Sequence, residues 1–224
     1  MRTMSPTPPD APKQSLADVL PQVRTGDIFV FHCDATESRL IDIVTDSWFS
    51  HAAMAVVHPD DGQVLIWQTD PGAIVEDPIS HTSHAGAQLG DLAAAVEETA
   101  RTWGDQPYWR SLSWERPAGF DEAVATALVG LDGTKYPSML GMVIEYLAGR
   151  KDIPDTSGTM FCSEMIAATY QRIGLLGTEH PANHYRPKDF SSEPGADLPL
   201  LGGATLLSEV EVVLPDPPKG VVTS

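Results

Sequence analysis

The sequence predicts an α+β fold, and three features predict it. Two strand-like runs, HAAMAVVH (51–58) and QVLIWQT (63–69), are joined by PDDG (59–62), whose Asp-Gly pair suits a hairpin turn. Further on, Met165, Ile166, Thr169, Tyr170 and Ile173 share one face of a helix that stops at Gly174. Several other helical stretches lie between these regions, and an antiparallel hairpin interspersed with helices is the α+β pattern.

Taken in order, residues 1–15 are rich in Pro, Ser and Thr and read as a disordered leader. IFVF (28–31) is a β-branched and aromatic run of the kind that forms a buried strand. A helix is expected near 36–47, where Leu40, Ile41, Val44 and Trp48 form a stripe with Arg39, Asp42 and Asp46 off it. After the hairpin, residues 91–103 and 121–131 are expected to be helical, the second opened by Asp121 as a cap. SMLGMVIEYLAG (138–149) is a further helix of broad apolar character. LLSEVEVVL (206–214) alternates and suggests one late strand. Because 191–203 and 215–224 are rich in Pro, Gly and Ser, 191–224 is expected to be a loosely packed C-terminal extension. The main domain is then 16–190.

At 224 residues and 42% apolar, the chain can bury one substantial core. Its formal charge of −17 excludes a nucleic-acid role, which needs clustered Lys and Arg, and disfavours an anionic membrane surface. There is no apolar run long enough for a transmembrane segment, and the opening MRTMSPTPPDAPKQS lacks the apolar stretch of a signal peptide. A cytoplasmic setting is therefore the default expectation. The two cysteines, Cys33 and Cys162, are too few for a disulfide framework and read as free thiols.

Cys162 falls in the first turn of the 165–173 helix, just after the polar run Thr156, Ser157, Gly158 and Thr159. Unpaired N–H groups and the positive end of the helix dipole stabilise a thiolate at such a position. It shares a face with Met165 and Ile166, so it points into the fold, as a nucleophile or as a small buried hydrophobe. A nucleophilic thiol needs a base, and His51 opens a strand after Ser50, at a sheet edge within reach of solvent. If 59–62 is the hairpin loop, His58 faces Gln63, Ala53 faces Gln68 and His51 falls opposite Asp70. Gln68 and Asp70 are then both on the face of His51, and either can orient its imidazole. Cys33 precedes Asp34 and Glu37, acids that raise a thiol's pKa, and reads as structural.

Two histidine pairs, His81/His84 and His180/His184, invite a metal reading. Neither has zincin or zinc-ribbon spacing, and the second pair carries Pro181 in a loop-like stretch. No metal and no cofactor are expected. Gly-rich phosphate loops and G-x-S-x-G elbows are likewise missing from the sequence.

GDIFVF (26–31), SRLI (38–41), TDSWFSH (45–51), VLIWQ (64–68) and FCSEMIAATY (161–170) together resemble the YiiX-like branch of the NlpC cell-wall peptidase superfamily. That branch is similar to papain with its sequence circularly permuted, so that histidine precedes cysteine, as here. The resemblance spans 26–190 in patches. It implies a permuted papain-like fold, an antiparallel sheet packed against the helix that carries the nucleophile, and a triad of Cys162, His51 and Gln68. Many members of the branch carry Glu at the third position. Gln68 can orient an imidazole through its carbonyl but adds no charge. GTKYP (133–137) resembles the family's Gly-x-x-Tyr segment with Pro137 in place of an Asp, 138–158 resembles a helical insertion over the cleft, and Pro187, Asp189 and Phe190 match a short tail motif.

The function so implied is a cysteine hydrolase that cleaves an amide through a thioester, in a peptide or peptidoglycan fragment. Acyl transfer or lipid ester hydrolysis by the same Cys–His pair is the alternative, motivated by the apolar 138–149 helix. A binding module without turnover is a third reading, motivated by Gln68. The expected partner is a peptide or acyl-containing small substrate.

Overall fold

The computed structural model describes residues 9–33, 47–70, 76–77, 81–83 and 85–215. It is a mixed α+β structure built on one seven-stranded sheet that is antiparallel except at one edge. In chain order the strands are β1 (Lys13–Ser15), β2 (Ile28–His32), β3 (His51–Val57), β4 (Val64–Asp70), β5 (Gly86–Asp91), β6 (Gln106–Arg110) and β9 (Val210–Val213). Their spatial order is β1-β9-β6-β2-β3-β4-β5, with β1 parallel to β9. A small ribbon pairs β7 (Leu112–Ser113) with β8 (Thr205–Leu206). The helices are α1 (Leu16–Val19), α2 (Leu92–Trp103), α3 (Phe120–Val129), α4 (Met139–Gly149) and α5 (Cys162–Arg172).

Helices cover both faces of the central strands, which is why IFVF and AAMAVV are continuous apolar runs rather than alternating ones. Val30, Ala52, Met54, Leu65 and Trp67 point to the face where α5 supplies Met165, Ile166 and Tyr170 and α3 supplies Val124 and Leu128. Phe29, Phe31, Ala53, Ala55, Ile66 and Trp109 point to the opposite face, against Leu16 and Val19 of α1 and Leu92, Ala95 and Val96 of α2. Two buried side-chain bonds fix α5 to the sheet. The Tyr170 hydroxyl donates to the Gly26 carbonyl at 2.6 Å, and Trp67 Nε1–H donates to Thr169 Oγ1 at 3.2 Å.

The hairpin has the register expected of a 59–62 loop: Val57 pairs with Val64, and His58 N–H donates to the Gln63 carbonyl at 2.9 Å. The helix expected near 36–47 lies outside the described residues. Three expectations are corrected. The helix expected over 121–131 is α3, capped by Gly119 in a left-handed conformation (φ 77), with Asp121 inside the first turn, where its charge favours the dipole. The 1–15 leader is ordered at its end, since Lys13–Ser15 pairs with Glu211–Val213. Finally, the 191–215 part of the supposed loose extension is packed: Val212 is wholly buried, β9 pairs with β6 on one side and β1 on the other, and Glu209 is buried against Ser192 and Arg110. The Pro and Gly residues there shape turns around a strand that completes the sheet.

Candidate active site

The paired positions of β3 and β4 run only from Val57 and Val64 to Met54 and Trp67. Both strands continue past that point, β3 back to His51 and β4 on to Asp70. The N-terminus of α5 reaches this end of the sheet. Phe161 caps it, and the Glu164 carboxyl accepts the Phe161 N–H at 3.4 Å. Cys162 is the first helical residue, 4% exposed, and the backbone N–H groups of Ser163, in its own turn, and of Ala52, from β3, act electrostatically on its sulfur.

His51 and Cys162 are close enough for each to shift the other's ionisation, so the two side chains singled out from distant parts of the chain come together. Nε2–H of His51 donates to Gln68 Oε1 at 3.4 Å, a long contact that leaves Nδ1 for the thiol. Gln68 is 3% exposed and lies on the face the hairpin register predicts. The ring of Phe31 packs against the imidazole at a centroid distance of 5.3 Å. The side chain of Asp70, the other orienter expected, lies outside the described residues.

The electrostatics of the pair favour its charged form. Burial pushes the His51 pKa down, but the thiolate of Cys162, the Asp105 carboxylate and the Gln68 carbonyl outweigh it and raise the value to about 9. Burial pushes the Cys162 pKa up. The charge and hydrogen bond of His51 and the N–H groups of Ala52 and Ser163 reverse this and hold the thiol below its usual range.

Three further groups flank the pair: Tyr136, Glu164 and Asp105. Tyr136 of GTKYP is held beside α5 because Met160 N–H bonds the Lys135 carbonyl at 3.0 Å and Ala87 N–H bonds the Thr134 carbonyl at 2.8 Å. Burial, then the negative charges of Cys162 and Glu145, keep its phenol protonated. Gly86 (φ 114) is obligatory at this junction, since a Cβ there would stand 2.3 Å from the Thr134 carbonyl oxygen. Glu164, 3% exposed, is pushed up to about 8 by burial and by the charges of Asp155 and Glu145. Asp105 lies between α2 and β6; a Gly-Asp-Gln stretch after a helix gives no sign from sequence that it faces a catalytic-type histidine.

The 138–158 segment forms α4 with Ser138 as cap and lies over α5's start. Glu145 Oε1 accepts from Ser157 Oγ at 2.9 Å and Thr159 Oγ1 at 2.7 Å, and Asn183 Nδ2 donates to the Glu145 carbonyl at 2.9 Å. The tail motif has a packing role: Phe190 lies edge-on to Tyr170, and Asp189 accepts from Arg186. His180 and His184 stack at 4.1 Å and converge with Asp152, their ligand-type atoms within 4.8 Å of one another. Arg150 donates to His184 Nε2 at 2.8 Å and His184 Nδ1–H donates to the Gly149 carbonyl at 3.0 Å, so both ring nitrogens of His184 are engaged within the protein. His84 lies outside the described residues.

No family model matches the chain, and no curated protein matches it in sequence. Among solved structures it is similar to the metalloprotein YiiX of Escherichia coli O157:H7, at 15% identity and a TM-score of 0.47, over 68% of this chain and 67% of that one. Among the described residues no helix is long and apolar enough to cross a membrane.

Proposed function

We propose that the chain is a cysteine hydrolase that cleaves an amide bond through a thioester on Cys162, in a peptide or peptidoglycan fragment, with a permuted papain-like order of His before Cys. One observation supports this reading above the others: a buried thiol that opens a helix lies within electrostatic reach of an imidazole whose Nε2–H is held by the Gln68 carbonyl, an arrangement a thiol that merely fills space has no need of.

The steps follow from that pair. The Cys162 thiolate attacks the carbonyl carbon and the carbonyl electrons move to oxygen. As that oxyanion collapses, the imidazolium of His51 gives its proton to the departing amine and the acyl group remains on sulfur. Neutral His51 then takes a proton from water as the water oxygen attacks the thioester. Collapse of the second oxyanion expels the sulfur and releases the acid. Gln68 keeps the ring turned through its carbonyl. Tyr136, a neutral phenol beside the sulfur, is the side chain suited to donate to the oxyanion.

Intact-protein mass spectrometry after exposure to peptide amides, peptidoglycan fragments and acyl esters tests this. An acyl adduct on Cys162 with the amide substrates, lost in Cys162→Ala and retained in Cys33→Ala, is the expected result; no adduct with any substrate overturns the reading. An adduct with esters only would favour the second reading, acyl transfer, for which the supporting observation is that α4 leaves Ile144 and Leu147 exposed.

A further inference from the structure

In the proposed pair the group in contact with His51 on the side away from the thiol is Gln68, which is neutral. An imidazolium in a mostly buried site needs a negative charge besides the thiolate it is about to lose to the substrate. The strand register identifies where that charge comes from. Pro107 of β6, Phe31 of β2 and His51 of β3 lie in one row across three strands. His32 pairs with Gln106, so the next step of the same register sets Cys33 opposite Asp105. Alternation gives Asp105 and Cys33 the face of Pro107, Phe31 and Trp109, which is also the face of His51 and Ala53. At this sheet end α2 stops at Trp103, whose carbonyl accepts the Cys33 thiol at 3.2 Å, and Gly104 turns the chain with φ 74 into Asp105. Asp105 and His51 thus share one face, two strand spacings apart across the sheet and two residues apart along it, ~12 Å between backbones with the ring of Phe31 in the row between them.

Asp105 is half-buried, and no guanidinium or ammonium among the described residues acts on it. The groups that face it are His51 from β3 and His32 and Cys33 from the end of β2. Those facing His51 are Cys162 from α5, Gln68 from β4 and Asp105 itself. Burial pushes the Asp105 carboxyl up, and among the influences that oppose it the charge of His51 comes first, ahead of the Cys33 thiol and His32.

We propose that Asp105 is a positioning residue that acts through His51: its carboxylate supplies, from the start of β6 two strands away, the negative charge that holds the imidazolium, the electrostatic part of the third role that Gln68 fills only geometrically. The inference rests on the Cys162–His51 reading above. It divides the orienter's work between two strands, β4 for direction and the β6 edge for charge.

The test is the titration of the His51 ring followed by NMR in full-length protein with labelled histidine, in wild type, Asp105→Asn, Asp105→Glu and Asp105→Asn/Gln68→Glu. In Asp105→Asn the His51 midpoint falls by about one pH unit, Asp105→Glu restores most of it, and Gln68→Glu, which brings a carboxylate into contact, restores it in the double variant. Alkylation of Cys162 by iodoacetamide at pH 6 stays within about twofold of wild type in Asp105→Asn and Asp105→Glu, because the imidazolium is still present there; a structural collapse would move it. Wild type alone provides a second reading in case Asp105→Asn does not fold: the Asp105 carboxyl carbon shift shows an inflection at the His51 midpoint. An unchanged His51 midpoint in Asp105→Asn, or a carboxyl shift flat across that pH, overturns the proposal while leaving the Cys–His pair standing. A wild-type His51 that titrates as a free imidazole, with Cys162 alkylated at the free-thiol rate, overturns the pair itself.

Discussion

Cys33 and Cys162 sit at the same end of the sheet and each is 4% exposed, yet their surroundings have opposite polarity. Around Cys162 are donors: the N–H groups of Ala52 and Ser163 and the imidazole of His51. Around Cys33 are acceptors: the Trp103 carbonyl and the Asp105 carboxylate, to which its S–H can only donate. Burial is thus the same and what differs is the sign of the partial charges that face the sulfur. A thiol becomes a nucleophile where donors converge on it, and remains a thiol where acceptors do.

The sharpest way to break this contrast is to remove the imidazole. In wild type at pH 7, iodoacetamide should label Cys162 faster than Cys33 by on the order of 10–100-fold, read by peptide mass spectrometry. His51→Ala should erase most of that ratio and lower amide hydrolysis by on the order of 10²–10⁴-fold, the span attached to loss of a general acid–base group. His32→Ala, which removes the other histidine at this sheet end, should leave the labelling ratio within about twofold. If His51→Ala leaves the ratio standing, the helix start and the Ala52 amide suffice and the pairing is decorative.

A smaller effect sharpens the contrast in pH. The His51 pKa lies above its ordinary value, so the stabilisation from the imidazolium is fully present below about 6.5 and is lost as pH rises through about 9. The Cys162 pKa is depressed, so the thiolate's contribution is lost as pH falls through that lowered value. The charged pair therefore spans neutral pH, and turnover should fall on the alkaline side near pH 9. Gln68→Glu should move that alkaline limb upward. Gln68→Ala should lower kcat about tenfold through a misdirected ring, with a smaller effect on KM.

The same comparison shows what a linear reading can reach. The Asp-Gly turn at 61–62 pins the hairpin, and a period of two then puts His51 and Gln68 on one face; nothing tertiary is needed for that step. The helix of Cys162 is equally local, a stripe closed by Gly174 in the left-handed conformation (φ 74). Strands β5 and β6 were not foreseen because GAQLGD carries two glycines and QPYWR a proline, residues that count against strand by propensity while register and burial favour it here. The pairing of β1 with β9 joins residues some two hundred positions apart, and no local pattern encodes it. Asp105 is hidden for the same reason: its neighbour is His51 only by virtue of a register across β6, β2 and β3. That Cys33 would be structural was expected from Asp34 and Glu37, which lie outside the described residues; the acceptors seen around it are Trp103 and Asp105 instead.

The smallest effect concerns a group two residues past Cys162. Glu164 is folded into the protein at a pKa of about 8, raised by burial and by Asp155 and Glu145. Its ordinary value is 4.5, so across the interval from there to about 8 the folded chain keeps a proton that the unfolded chain has released. Stability therefore declines as pH climbs through that interval, at no more than about 1.4 kcal/mol per pH unit. Glu164→Gln keeps the shape and removes the titration. Urea unfolding at pH 5 should give nearly equal midpoints for wild type and Glu164→Gln, and at pH 8 the variant should be the more stable one. Because Phe161 N–H bonds this carboxyl at the start of α5, Glu164→Gln retains an acceptor there and Cys162 should label within about twofold of wild type. If instead wild type and variant follow parallel stability curves from pH 5 to pH 8, Glu164 is ionised throughout. The helix start would then carry a carboxylate beside the thiol, an acceptor charge of the kind that surrounds Cys33, and the distinction between the two thiols would have to rest on His51 alone.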